Sequence, residues 1–131
     1  MLTLSVLPNL FAVCRLASDA PLPDWATATD FFSVTRTTDE LSIVCRASQV
    51  PPEVQSERGW RCLKVNGPLD FSLTGVMVSL AAPLADAAIS IFGIATYDTD
   101  YLLVKAETFE RAIHVLTAAG HTISAAPEQP D

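Results

Sequence analysis

The residues with the clearest capacity for chemistry form a short polar stretch, Tyr97-Asp98-Thr99-Asp100, between two apolar runs. A carboxylate suits an ammonium or guanidinium group, which it binds through a charge-assisted hydrogen bond. Aspartate is also a common turn residue, so both carboxylates could simply solvate a turn. The residue types alone leave both interpretations open.

A second stretch with chemical potential surrounds Gly75, which stands near the start of a helical pattern. The N-terminus of a helix offers free N–H groups and a partial positive charge, which suit a carboxylate. Glycine also permits a ligand to approach the backbone closely. A zwitterion carries both charges a few ångströms apart. The two stretches together offer one partner for each charge.

Other kinds of site find no support in the sequence. The three cysteines, Cys14, Cys45 and Cys62, are far apart and include no CxxC pair. They predict reduced core cysteines rather than a zinc site, which needs four ligands. His114 and His121 lack a nearby carboxylate cluster, so both are interpreted as surface residues. Since no nucleophile and base can be paired, we expect no catalytic residues, no metal and no cofactor.

The composition limits the possible partners. Half of the 131 residues are hydrophobic and 18% are charged, which is ample for a buried core. The net charge of −7 argues against binding to nucleic acid or to an anionic membrane. The apolar first residues lack the basic start of a signal peptide, and no run approaches the roughly 20 apolar residues that span a bilayer. We therefore expect a soluble, cytoplasmic protein.

Hydrophobic periodicity predicts the elements that position these residues. From Arg61 onward the order is β-α-β-β-α-β, which is typical of the ferredoxin-like plan. Pro83 falls inside the first helix, removes the hydrogen bond to the Ser79 carbonyl and predicts a kink. The predicted elements of this half are 61–65, 74–88, 91–96, 101–105, 107–119 and 121–124.

The first half of the chain resembles a looser copy of the second. Strand patterns cover 2–6, 10–16, 31–36 and 41–47, with one short helical turn at 25–28. The segment Val34–Ala47 aligns with Ile94–Ala106 if one extra residue is allowed in the turn. Chance similarity between two hairpins stays open. A tandem of two small modules, the first with only a stub of helix, explains the repeat better, because each half alone would have a marginal core.

A known family shares these motifs. The stretch GPLDFSLTGV followed by SIFGIATYDTDYLLVK, within residues 60–116, resembles the ACT-type amino-acid-binding domain, particularly the small bacterial tandem-ACT proteins. That group is related to the regulatory domains of aspartate kinases and to an animal cytosolic arginine sensor. FFSVTRTTDELSIVCR is similar to the weaker first unit of such proteins. The resemblance implies an α+β fold of tandem ferredoxin-like (βαββαβ) units, with antiparallel sheets, helices on one face and a degenerate first unit. It divides the chain into 1–59, 60–125 and a flexible tail, 126–131.

The resemblance also implies a function. It indicates a non-catalytic, amino-acid-binding regulatory protein, a homodimer whose ligand lies at an interface between ACT units. Asp100 matches the acidic residue that the related arginine sensor uses on its ligand, whereas Asp98 lies at a variable position. The alternative is a structural or interaction module with a decayed ligand site, which dimerises or docks through its sheet. The ligand-binding residues implied by the motif are Thr74, Gly75, Val76, Ser90, Ile91, Thr96, Tyr97, Asp98 and Asp100.

Overall fold

The structure of the chain is a computed structural model that describes residues 1–69 and 74–124. Its contacts divide these residues into two compact units. One unit is Asn9–Trp60. The other combines Met1–Pro8 with the described residues from Arg61 onward. The sequence analysis had assigned the first eight residues to the N-terminal unit. The tail at 126–131 lies outside the described residues.

The helices and strands follow one another in the order expected. Within the described residues no helix is long and apolar enough to cross a membrane. The elements are β1 (Thr3–Val6), β2 (Phe11–Leu16), β3 (Ser33–Arg36), β4 (Leu41–Arg46), β5 (Ser56–Val65), α1 (Val76–Asp86), β6 (Ile91–Ala95), β7 (Asp100–Lys105), α2 (Phe109–Ala118) and β8 (Thr122–Ser124).

The N-terminal unit is a small antiparallel sheet in the order β3-β4-β2-β5, to which β5 contributes its first residues. A 3₁₀ turn at Asp24–Thr27 is its only helical element before β3, which confirms the predicted stub. Leucine, isoleucine and cysteine side chains from alternate strand positions form the core, because alternate residues share one face. The buried core residues are Ala12, Cys14, Ala26, Leu41, Ile43, Cys45 and Val50.

The C-terminal unit confirms the α+β, ferredoxin-like plan. Its strands lie in the order β8-β1-β5-β7-β6. Both helices contribute to one apolar cluster with the sheet, so both cover the same face. The pairing departs from a fully antiparallel sheet at one place, because β1 lies between β5 and β8 and runs parallel to β8. The core residues of this unit are Leu4, Leu63, Val65, Leu80, Leu84, Ile89, Leu102, Val104, Phe109, Ala112 and Leu116.

Strand β5 begins five residues earlier than the predicted strand at Arg61. Ser56 and Glu57 pair with Cys14 and Val13 of β2. The stretch is polar and carries Gly59 at a φ of +82°, so no apolar alternation marks it. Pairing with β2 decides its conformation, as tertiary context commonly does for strands.

His121 is buried, with 5% of its surface exposed, so the prediction of a surface histidine was wrong. Its Nδ1 accepts a hydrogen bond from the Leu2 N–H at 3.1 Å, and its Nε2 lies 3.0 Å from the Ser79 carbonyl oxygen. Because Nδ1 accepts, Nε2 carries the proton and donates it. The Ser79 carbonyl is the group that Pro83 leaves without its helical partner. His121 therefore replaces the hydrogen bond that Pro83 removes, whereas His114 is exposed as predicted.

The three cysteines are free and buried, which confirms them as reduced core residues. Burial raises the pKa of the Cys62 thiol to about 12. A hydrogen bond from the Cys45 thiol lowers the pKa of Cys14, and the positive charge of Arg58 acts in the same direction. Cys14 is therefore the most acidic of the three thiols.

Candidate functional site

The polar stretch at Tyr97–Asp100 forms the tip of the β6–β7 hairpin. Ala95 pairs with Asp100, and the turn Thr96–Thr99 joins them. The Thr96 N–H donates to the Thr99 carbonyl at 2.9 Å, and the Thr96 hydroxyl donates to the same oxygen at 2.8 Å. A threonine therefore closes the turn, and neither aspartate side chain takes part in these two bonds.

Two short hydrogen bonds tie this turn to the chain that leaves β5. The Thr99 hydroxyl donates to the Val65 carbonyl at 2.6 Å, and the Leu69 N–H donates to the Asp98 carbonyl at 2.6 Å. Thr99 is 4% exposed. The segment that leads from β5 towards α1 therefore begins against the hairpin tip.

The entrance to α1 is open. Gly75 takes the N-cap position with a φ of +75°, a conformation that glycine adopts at little cost. No side chain of the described residues caps this end, and a Cβ built on Gly75 would meet nothing within 4 Å. Thr74 and Gly75 are exposed, and Val76 is partly buried. The first N–H groups of the helix are thus available to an anionic group.

The helix entrance and the hairpin tip lie at the same end of the unit. Met77, in the first turn of α1, covers Gly93 so closely that a Cβ there would lie 3.3 Å from its Cε. Gly93 is only two residues from the pair formed by Ala95 and Asp100. Because alternate strand residues share a face, the side chain of Asp100 projects on the helix-covered side. Asp100 and the first turn of α1 therefore lie on the same face of the sheet, and we call residues 74–76 and 96–100 the tip corner.

The structure does not bring all the expected site residues together in one copy of the chain. Ile91 pairs with Val104 at the opposite end of the hairpin. Four residues of strand separate it from Ala95, which corresponds to roughly 13 Å. The tip corner contains Thr74, Gly75, Val76, Thr96, Tyr97, Asp98 and Asp100, whereas Ser90 and Ile91 lie at the far end of β6.

The side chains of the tip corner differ in exposure. Tyr97 is 79% exposed and Asp98 is exposed, whereas Asp100 is partly buried. Behind them, burial raises the pKa of Tyr101, with smaller contributions from Cys62 and Asp98.

The sequence contains no sign of the role of Thr99, because nothing in its immediate neighbours shows that its hydroxyl donates to a buried carbonyl of β5. In the described ranges 1–69 and 74–124, no group of three metal-ligating side chains is placed to hold a metal ion.

The fold is that of a ferredoxin-like α+β domain with an open entrance to its first helix. A family model described as "ACT domain" matches residues 55–118, and a second one, described as an N-terminal domain, matches 9–53. Residues 55–118 belong to the ACT-domain family.

Its relatives support this assignment. Human "Cytosolic arginine sensor for mTORC1 subunit 1" is 32% identical over 108 residues, which cover 76% of this chain and 32% of that protein. The bovine protein is 29% identical over 97 residues, which cover 66% of this chain and 30% of that protein. The chain thus spans about a third of the length of these relatives.

Solved structures show the same architecture. A crystal structure of an Agrobacterium tumefaciens protein superposes with a TM-score of 0.93 at 36% identity, covering 99% of this chain and 97% of that one. The regulatory subunit of aspartate kinase from Thermus thermophilus superposes with a TM-score of 0.60 at 13% identity, covering 89% and 97%. At that identity, the second likeness concerns the fold alone.

Proposed function

We propose that the protein is a non-catalytic sensor that binds a free amino acid at the tip corner. The proposal is supported by the position of Asp100 on the face of the sheet that α1 covers and by the open entrance of that helix. An α-carboxylate of the ligand binds the N–H groups at Gly75 and Val76. Its ammonium group, or a guanidinium on its side chain, binds the Asp100 carboxylate. Similarity to a cytosolic arginine sensor supports an amino acid as the ligand class and a cytoplasmic location.

We further propose that a second copy of the chain completes this site. Among the described strands, β6 pairs only with β7, so it forms an edge of the sheet. Its sequence, IFGIA, contains no charge and no proline, the devices that usually protect an edge. Antiparallel pairing of two β6 edges about Gly93 would place Ile91 of the second copy beside Ala95. Ser90 and Ile91 would then reach the tip corner from the other copy, as the homodimer expectation requires.

Binding would act by a shift of population. A ligand that contacts both copies stabilises the dimer arrangement in which Asp100 and the neighbouring edge are correctly spaced. It changes the equilibrium only by its difference in affinity between the two arrangements. Regulation of this kind needs no chemical step.

The proposal is tested by differential scanning fluorimetry and calorimetry with each of the twenty standard amino acids. We expect at least one of them to raise the melting temperature at millimolar concentration. Asp100→Ala should abolish that response and lower the melting temperature of the free protein by no more than about 2 °C, since a surface substitution changes stability little. Asp98→Ala is the matched control from the same turn and should retain binding. Absence of any response, or full affinity in Asp100→Ala, would contradict the proposal.

One observation favours a second candidate function. Val78 on α1 is 65% exposed, and the exposed positions after it are Ala82, Ala85 and Asp86, so the outer face of this helix carries little polarity before its last residue. Such a face suits an interaction module without a ligand, which dimerises or docks onto a partner. A stable dimer with no amino-acid response would favour this function, whereas Val78→Glu would then dissociate the dimer.

A further inference from the structure

Thr99 is one of only two polar side chains that are buried among the described residues, and the other is His121. Neither the turn nor the strand requires a buried hydroxyl at this position. Thr96 already closes the turn with its own backbone and side chain. The Thr99 hydroxyl instead leaves the hairpin and donates to Val65 at the end of β5.

The contact that Thr99 makes is part of a close approach between two backbone segments. A Cβ built on Gly67 would lie 3.2 Å from the Asp98 carbonyl oxygen and 3.3 Å from the Thr99 Cβ. The same atom would lie 3.0 Å from the Leu69 nitrogen, which donates to the Asp98 carbonyl. The hairpin tip and the segment after β5 are therefore in van der Waals contact through a glycine. Their relative position is fixed by this contact and by the two hydrogen bonds.

This contact fixes the side of the tip corner that carries Asp100. Asp100 follows Thr99 directly in the chain. Leu69 lies six residues before Gly75, on the segment that leads into α1. A ligand that binds Asp100 needs the position of this carboxylate to be set before it arrives, because preorganisation removes the ordering cost from binding.

We propose that Thr99 is a positioning residue of the amino-acid site, which holds the Asp100 carboxylate in a fixed position relative to the end of β5. This inference rests on the proposed function. Thr99 itself does not contact the ligand, because its hydroxyl is engaged with the Val65 carbonyl and its side chain is buried.

The test compares Thr99→Val with Thr99→Ser. Valine keeps the shape of threonine and removes the hydroxyl, whereas serine retains the hydroxyl. The probe for calorimetric titration is whichever standard amino acid binds the unmodified protein most tightly. We expect Thr99→Val to weaken binding at least tenfold and Thr99→Ser to stay within about threefold of the unmodified protein.

The matched control is Thr108→Val. The Thr108 hydroxyl is also partly buried and donates to a backbone carbonyl, that of Lys105, at 3.1 Å at the opposite end of β7. We expect its dissociation constant to be unchanged. Hydrogen exchange gives a second measurement, since the Leu69 amide should exchange faster in Thr99→Val and at the normal rate in Thr108→Val.

Gly67→Ala tests the same contact without altering the Thr99 side chain, and it decides the question if Thr99→Val does not fold. Its added methyl group should separate the two segments and weaken binding at least fivefold. Unchanged affinity in Thr99→Val, or in Gly67→Ala where that variant decides, would overturn this inference and leave the proposed function intact. If no amino acid binds the unmodified protein, both are overturned together.

Discussion

The two hairpins of this chain have nearly the same backbone and different side chains at one decisive position. In the first, the turn Thr37–Glu40 joins β3 to β4, and the Thr37 N–H donates to the Glu40 carbonyl at 2.9 Å. In the second, the turn Thr96–Thr99 has the same bond at the same distance. Each returning strand is followed by a 3₁₀ turn, which begins at Ala47 in the first and Ala106 in the second. The two turns have equal length, so the extra residue that the sequence alignment introduced is not needed.

The decisive position is the first residue after each turn. In the first hairpin it is Leu41, which is 1% exposed and part of the core. In the second it is Asp100, which is partly buried at the tip corner. Since the first hairpin closes its turn without a carboxylate there, the fold does not need Asp100 for the turn. The comparison therefore favours a ligand as the reason for this aspartate over simple solvation of a turn.

The largest loss of stability is expected when Leu41 of the first hairpin is replaced by aspartate, the residue that the second hairpin has at this position. Leu41→Asp places a carboxyl group in a core position of the N-terminal unit, where it has no partner ready. We expect the free energy of unfolding to fall by about 3–5 kcal/mol, measured by urea denaturation. Leu41→Met is the control and should cost less than about 1.5 kcal/mol. A loss below 1 kcal/mol in Leu41→Asp would mean that the two positions differ less than their burial indicates.

A smaller loss of stability is expected when the hydrogen bond between His121 and α1 is removed. His121→Ala leaves the Ser79 carbonyl and the Leu2 N–H without their partner, so we expect a loss of about 2–3 kcal/mol. Added to His121→Ala, Pro83→Ala supplies an N–H for the Ser79 carbonyl and should recover part of that loss. A double-mutant cycle measures this coupling.

His114→Ala, on the exposed side of α2, is the control for this cycle and should change stability by less than about 0.5 kcal/mol. Amide exchange should accelerate in β6 and β7 of His121→Ala and stay unchanged in β3 and β4. If the effects of Pro83→Ala and His121→Ala were strictly additive, the histidine would not be replacing the missing helical bond.

The contrast between Leu41 and Asp100 also explains what could be predicted from sequence. Alternation and helical periodicity located both hairpins and both helices, because apolar residues must face a core. They could not locate Ser56 and Glu57 in β5, whose conformation depends on pairing with the distant β2. They likewise missed the burial of His121, because its two partners lie far from it in sequence.

The sequence likewise predicted only part of the candidate site. The motif named residues on both sides of the tip corner, since they are close to the turn and to the helix start. It could not show that Ser90 and Ile91 lie at the other end of β6, because distance along a strand becomes spatial separation only after the register is known. Thr99 was passed over for a related reason, since its partner Val65 is distant in the chain.

A third prediction tests whether the two turns are equivalent. Thr37→Val and Thr96→Val each remove a hydroxyl that bonds within its own turn. Both threonines are exposed, so we expect each substitution to cost about 1 kcal/mol, as a single net hydrogen bond does. Thr38→Val, in the same turn as Thr37, is the control and should be nearly neutral. If the losses in free energy of unfolding differ by more than 1 kcal/mol between the two hairpins, the two turns are not equivalent in stability although their backbones are alike.

The smallest effect on stability, and the sharpest test of the comparison, is expected from Asp100→Leu, which gives the second hairpin the residue of the first. If the aspartate serves a ligand, its removal should change the free energy of unfolding by no more than about 0.5 kcal/mol. If it instead stabilises the positive end of α1, removal should cost up to about 1 kcal/mol at low ionic strength, and the cost should shrink as salt is added. Urea denaturation at low and high salt separates the two roles. Asp100→Asn completes the test, because it keeps the shape and loses the charge. A salt-dependent loss in both variants would assign Asp100 to the helix, whereas a neutral result together with lost binding would assign it to the amino acid.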